Sequence, residues 1–334
     1  MNHLLLVYYH PIIFDLAESF LKIFDRITIA CNASLKDNYG EYAQVAAKIK
    51  SNPRLQSVDC ILLSVAHLKI KDYDIVGCDG VFDGDELIME VCKERGIPYF
   101  NINGYPHQAD EPSQNILAFS WFLPQIQYKQ RFPHEGYIKE KDWKHIAFEG
   151  RSEGKNICVF YPELNEAKRY AFVAQPRPRH KFTSFIHRYE ECNRWTYLLF
   201  QKFELALAEK HIFVGNYSGK TQKEVFDLMS ESYGVVHLKH GDCPGISILE
   251  SLILKTPVIT MSSFVKASFN QDVLIDNQNA IIADDFDELI ERSIDAINKP
   301  WGRTGWDHIY GLTDFNRQRN KLERFFHGCM IHEQ

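Results

Sequence analysis

The chain is expected to be an α/β protein built from two parallel, doubly wound sheets. Three features point to this. Short apolar runs alternate with amphipathic segments from residue 3 to residue 102, the rhythm of strands joined by crossover helices. The alternation pauses at Gln175-Pro-Arg-Pro-Arg-His-Lys181, a proline-stiffened basic stretch, and then restarts. Several of the runs are apolar throughout rather than alternating, as strands of a parallel sheet covered on both faces must be.

The elements follow in order. His3-Leu-Leu-Leu-Val-Tyr-Tyr9 is a nearly continuous apolar strand, His10-Pro11 a loop, and residues 12–24 an amphipathic helix. Residues 26–30 form a second strand, 42–51 a helix running out near Asn52-Pro53, and 58–65 a third strand. A weak fourth strand region covers 74–76 and 80–82. Residues 86–95 form a helix closed by Gly96, a typical C-terminal glycine, and 98–102 form the fifth strand. Residues 116–122 fit helix or strand, and 156–161 a strand. The mixed basic and aromatic segment 127–144 could grip an acidic acceptor or a membrane surface; a solvated amphipathic segment is the plainer alternative.

Beyond the stiff stretch, residues 182–187 form a strand, 195–210 a long helix, 211–214 a strand, and 221–230 a helix. The next stretch, from Tyr233 to Met261, reads as strand, polar loop, helix, turn and strand. Its helix begins at Gly245, and Pro257 follows its end. Residues 279–283 and 286–298 are a last strand and helix, and the chain ends in a helix carrying Phe315, Leu322, Phe325 and Phe326.

At 334 residues, with 45% hydrophobic and 13% aromatic content, the chain can fill two cores and is not disordered. A net charge of −6 gives no general drive toward nucleic acid. The eight cysteines form no Cys-x-x-Cys pair and lie mostly in apolar runs, so they read as free thiols of a reducing compartment. No apolar run reaches membrane-spanning length. The first ten residues lack a basic start and a small-residue cleavage site, so a strand and not a signal peptide is expected. The Gly-x-x-x-x-Gly-Lys and His-Glu-x-x-His motifs are absent, and no glycine-rich dinucleotide fingerprint follows the first strand.

The stretch around Gly245 is where chemistry is expected. A helix that starts directly after a strand presents unpaired N–H groups and a positive dipole end to an anion. Asp242 stands just before that start, and Glu250 lies one to two turns inside the helix. A diphosphate would meet the helix start while each carboxylate binds hydroxyls. The plainer alternative is an ordinary junction, with Asp242 as a cap and Glu250 on a solvated face.

Asp242 and Glu250, with Pro-Gly-Ile-Ser between them and Leu-Lys-Thr-Pro-Val-Ile beyond, resemble the donor-site signature of GT-B glycosyltransferases of the retaining, family 4-like group. Asp242 replaces the usual Glu, Pro244 an aromatic residue and Lys255 a glycine. The resemblance implies two Rossmann-like domains with parallel sheets facing across a cleft: an acceptor domain at 1–175, a donor domain at 176–310, and a segment at 311–334 crossing back to the first. It implies that Glu250 holds the ribose of a nucleotide diphosphate sugar and that Asp242 contacts the transferred sugar. The amides of Gly245, Ile246 and Ser247 would help bind the donor. Arg188 and Arg194 stand where the family places an Arg and a Lys that stabilise the leaving diphosphate. Gly215 and Asn216 match a loop that borders the base, and Lys239 and His240 could add charge beside Asp242. On the first-domain side, Asn103 stands nearly where family members carry a His that faces the sugar, with His107 and His10 near it.

The expected activity is therefore glycosyl transfer to a glycan, lipid-linked or other hydroxyl acceptor, with retention, no metal and no other cofactor, in polysaccharide biosynthesis. A cytoplasmic protein is expected, with peripheral contact at the inner membrane face as an option and no nucleic acid partner. Glu250→Ala is expected to weaken donor binding with little loss of fold. Two alternatives stand beside this. Asp83-Gly-Asp85 matches the metal-binding tripeptide of GT-A transferases, although Asp85 also suits a helix cap. The chain could also bind sugar nucleotides or glycans without turnover.

Overall fold

The structure, a computed structural model, describes residues 2–8, 10–32, 42–78, 83–103, 115–119, 156–175, 177–185, 194–239, 245–267, 270–301 and 303–331. In chain order the first alternation is β1 (His3–Val7), α1 (Ile12–Phe20), β2 (Arg26–Cys31), α2 (Tyr42–Ser51), β3 (Val58–Leu62), α3 (Leu63–Leu68), β4 (Ile75–Cys78), α4 (Asp83–Arg95), β5 (Tyr99–Asn103), β6 (Asn115–Ala118) and β7 (Asn156–Val159). Leu4, Leu5 and Leu6 of β1 are each 0% exposed, which requires a strand on either side and cover on both faces. β1 pairs in parallel with β2 and β4, and the sheet runs β3-β2-β1-β4-β5-β6-β7.

The second alternation is α5 (Asn165–Val173), β8 (Lys181–Ser184), α6 (Arg194–Ala208), β9 (Val214–Asn216), α7 (Gln222–Ser230), β10 (Ser232–Val236), α8 (Ile246–Ile253), β11 (Val258–Met261), α9 (Ser262–Ala267), β12 (Ala280–Ala283), α10 (Phe286–Ala296), α11 (Thr304–Leu312) and α12 (Phe315–Ile331). Its strands are parallel and run β12-β11-β10-β8-β9. The expected α/β architecture of two parallel sheets is thus what the chain adopts.

Several boundaries differ from expectation. The third strand stops at Leu62, and residues 63–65 turn into α3. Leu63, Ala66 and Ile70 are buried at spacings of three and four, a helical period hidden in a short apolar run. The first helix ends at Phe20 in a turn rather than reaching 24. Residues 115–118 are strand because β5 and β7 flank them. The strand expected at 211–214 begins only at Val214, because His211 is left-handed (φ 60) and breaks the chain after α6. Helices α5 and α9 carry no strong sequence signal and were not expected.

Contacts gather the described residues into two compact units, one holding those up to 119, 156–163 and 314–331, the other those from 164 to 313. The chain passes into the second unit ahead of the proline-stiffened stretch. Helix α5 is tied there by Lys168 Nζ, which donates to the Thr313 carbonyl at 2.7 Å, and by Tyr170 Oη, which donates to Asp227 at 2.5 Å. Within the first unit, α12 buries Phe326 against the rings of Phe20, Phe24 and Phe100. Gln318 on α12 accepts from the Tyr161 amide at 3.0 Å and donates to its carbonyl at 2.7 Å. The described cysteines Cys31, Cys60, Cys78, Cys92, Cys158 and Cys329 are free thiols. No helix among the described residues is long and apolar enough to cross a membrane.

Candidate functional site

Strand order locates the site in the second unit. From β8 the chain moves one way to β9, then returns across β8 to place β10 on its other side. The order reverses between β8 and β10, and a crevice opens at the carboxyl ends of such a strand pair. β8 ends at Ser184 and β10 at Val236, with the two residues paired in register. The stretches that follow these strands contain Arg188 and Asp242, and both residues lie outside the described set, as does His240. Arg194 opens α6, and its side chain lies outside the described set.

Helix α8 starts at this edge. Gly245 is its N-cap and has no side chain with which to occupy the first amides. Its carbonyl accepts from Ile248 N at 2.9 Å, so Ile246 and Ser247 form the open first turn and are half-buried. Glu250 follows one turn on. It is 9% exposed, not on a solvated face, and its Oε1 accepts from Gln222 Nε2 at 2.5 Å. The expectation that Glu250 stands clear of the core is corrected: the carboxylate is seated in a packed groove between α7 and α8.

Gln222 is the residue that sequence inspection missed. It is the first residue of α7, fixed by a capping box in which Thr221 and Glu224 exchange hydrogen bonds. The Thr221 amide and hydroxyl hold the Glu224 carboxyl below its ordinary pKa. The Thr221-x-x-Glu224 pattern was legible and would have placed Gln222 at a helix start; its partner across the fold was not.

Lys255 shows how the chain departs from a glycine. Lys255 N donates to Leu252 O at 3.1 Å and Thr256 N to Ser251 O at 2.9 Å, a Schellman end to α8. Lys255 takes the left-handed position itself, at φ 59. The strain costs about 1 kcal/mol relative to glycine and leaves the corner geometry intact.

Gly215 and Asn216 are strand residues of β9, not loop. A Cβ on Gly215 would lie 2.4 Å from the Tyr217 hydroxyl, so any larger residue here would have to displace that ring. Lys239 is half-buried just after β10.

The first unit has its own reversal between β1 and β4. His10 follows β1, and its Nδ1 accepts from Ile12 N at 3.2 Å, bracing the start of α1. Asn103 ends β5 with its side chain outside the described set, and His107 and the segment 127–144 also lie outside it. Asp83 and Asp85 sit in the first turn of α4 rather than in a loop. Their side chains lie outside the described set.

No protein-family model and no curated protein sequence matches the chain. Solved structures do. Anabaena HepE in complex with UDP superposes with a TM-score of 0.59 at 10% identity, over 98% of this chain and 100% of that one. UDP-GlcNAc 2-epimerase from Methanocaldococcus jannaschii, in complex with UDP-GlcNAc and UDP, gives 0.55 at 14% identity over 97% and 100%. A variant of S. aureus TarM, in complex with fondaparinux, α-GlcNAc-glycerol and UDP, gives 0.52 at 13% identity over 79% of this chain and 58% of that one. The likenesses establish the GT-B fold.

Proposed function

We propose that the chain is a glycosyltransferase that takes its sugar from a nucleoside diphosphate sugar held by the second unit. The observation that carries the reading is the open start of α8 at the strand-order reversal, with Glu250 one turn inside it and held in place by Gln222. A diphosphate set against the amides of Gly245, Ile246 and Ser247 meets unpaired donors and the positive end of the helix. Glu250 then accepts from the ribose hydroxyls. Asp242 orients the transferred sugar, and Arg188 and Arg194 balance the charge that develops on the leaving diphosphate. Lys239 and His240 add positive charge beside it, and His10, Asn103 and His107 are assigned to the acceptor and sugar side. Three neighbours of the same fold carry UDP, which makes UDP-sugars the first donors to try.

The transfer is assigned as retaining and metal-independent. The donor phosphate takes the acceptor proton as the new glycosidic bond forms, so no enzyme nucleophile is named. The acceptor class is a glycan or lipid-linked hydroxyl of polysaccharide synthesis, reached from the cytoplasm. A second reading, epimerisation of a sugar nucleotide, rests on the full-length likeness to the UDP-GlcNAc 2-epimerase.

Calorimetric titration with UDP, GDP, CMP and ADP, with and without magnesium, tests the site. One nucleotide binding independently of metal supports it; binding that requires magnesium favours Asp83 and Asp85; no binding by any overturns the donor site. Product analysis with the matching sugar nucleotide, with and without acceptors, then separates transfer from epimerisation.

A further inference from the structure

A second cavity lies at the opposite end of the second sheet. It has a volume of about 510 Å³ and is walled by α5, the segment before β8, the end of α7, the C-terminal end of α8 and α11. Arg179, Ser230 and Lys255 each stand just before a strand begins. The α8 start is at the other end of an eight-residue helix, roughly 12 Å away.

The lining carries Lys168, Arg177, Arg179 and Lys255, with the rings of Tyr170 and Tyr310, and no Asp or Glu among the described residues. The cations differ in how they are balanced. Arg177 pairs with Asp227 at 2.7 Å and Glu231 at 2.6 Å. Lys168 donates to the Thr313 carbonyl. Arg179, half-buried, gives one hydrogen bond to the Lys255 carbonyl at 2.7 Å and has no carboxylate partner among the described residues. Burial holds its pKa below the ordinary arginine value, with no neighbouring charge opposing the shift. Lys255, an exposed residue of the lining, also has no ion pair among the described residues.

A partly desolvated guanidinium without a counter-ion is costly. Here it faces a cavity of the size that small ligands occupy, and most of its five N–H donors are uncommitted. Two unbalanced cations match the double charge of a phosphate monoester better than the single charge of a carboxylate. The aromatic walls supply a flat apolar surface beside it. Phe172 of the lining is 89% exposed, and the next residue, Val173, is 65% exposed, side chains that solvent alone does not favour.

We infer that this cavity binds a phosphate group, with Arg179 and Lys255 as its donors and Tyr170, Phe172 and Tyr310 beside the organic part of the ligand. The phosphate could belong to a soluble phosphate monoester or to a lipid with a monoester headgroup, into whose acyl region Phe172 and Val173 would dip.

The test uses the full chain and two probes: inorganic phosphate by calorimetry, and phosphatidylcholine vesicles with and without phosphatidic acid by sedimentation. The pocket variants are Lys255→Gly and Arg179→Gln. Lys255→Gly removes a cation at a left-handed position that glycine occupies without strain, so the fold is retained. The expected result is phosphate binding weakened about tenfold or more in both variants. Vesicle binding that requires phosphatidic acid and is lost in Lys255→Gly and Phe172→Ala assigns the phosphate to a lipid. Phosphate binding without vesicle binding assigns it to a soluble ester. Binding that is unchanged in the pocket variants, or absent with both probes, overturns the inference.

Discussion

Glu250→Gln separates a donor-binding role from a packing role. The amide has the size of the carboxylate, and its carbonyl can still accept from Gln222 Nε2, so the contact between α7 and α8 survives. The exchange turns a charge-assisted bond into a neutral one, which places the stability loss within about 1 kcal/mol. Binding responds differently. With one carbonyl oxygen occupied by Gln222, the amide has no second acceptor equivalent to the carboxylate's other oxygen. Losing a charge-assisted bond to a ribose hydroxyl costs about 1.5–3 kcal/mol, or roughly 10- to 150-fold in affinity. Glu250→Ala is the poorer probe, because at 9% exposure truncation also leaves a void and an unpartnered Gln222 amide. The assay is titration of the nucleotide that binds the native chain, with urea unfolding run in parallel. Affinity within about twofold of native would sink the assignment of Glu250 to the ribose. A large stability loss with unchanged affinity would make the residue structural.

Three further outcomes follow from packing and charge. Gln318→Leu removes both hydrogen bonds that Gln318 makes to the Tyr161 backbone, so urea unfolding should show a loss of about 2–5 kcal/mol; a change below about 1 kcal/mol would mean that water replaces the amide freely. Gly305→Ala places a Cβ 2.8 Å from the Gln278 carbonyl carbon and oxygen and 2.8 Å from Asn279 Cβ, backbone that cannot swing aside. A loss of about 1–3 kcal/mol is expected, and native stability would show that α11 shifts without cost. The His3 pKa is lowered from 6.5, first by burial and then by Arg26. Between that lower value and 6.5 the unfolded chain binds more protons, so this contribution to stability is complete above pH 6.5 and is lost as pH falls through the window. His3→Gln should flatten that part of the melting-temperature profile relative to the native chain; an unchanged slope would assign the pH dependence elsewhere.

What could be read from the residues is local. Continuous apolar runs such as Leu4-Leu-Leu-Val7 identify two-sided strands, and the start of α8 follows from Gly245 and the apolar period behind it. The same local rule misread residues 63–65, because three apolar residues in a row satisfy strand and helix equally.

The α/β class, the parallel sheets and the stretch around Gly245 were thus determined by the sequence itself, since strand and helix periods repeat every two or every 3.6 residues and need no distant partner. The tertiary structure alone decided the strand orders, and with them the reversal between β8 and β10 at which α8 opens. It also brought Gln222 to Glu250 across 28 residues and Gln318 to Tyr161 across 157, and it seated Lys255 at a left-handed corner. The second cavity likewise draws on five separate segments. Such pairings are chosen by which faces can be buried together at close packing, and that competition is settled only when the whole chain is folded.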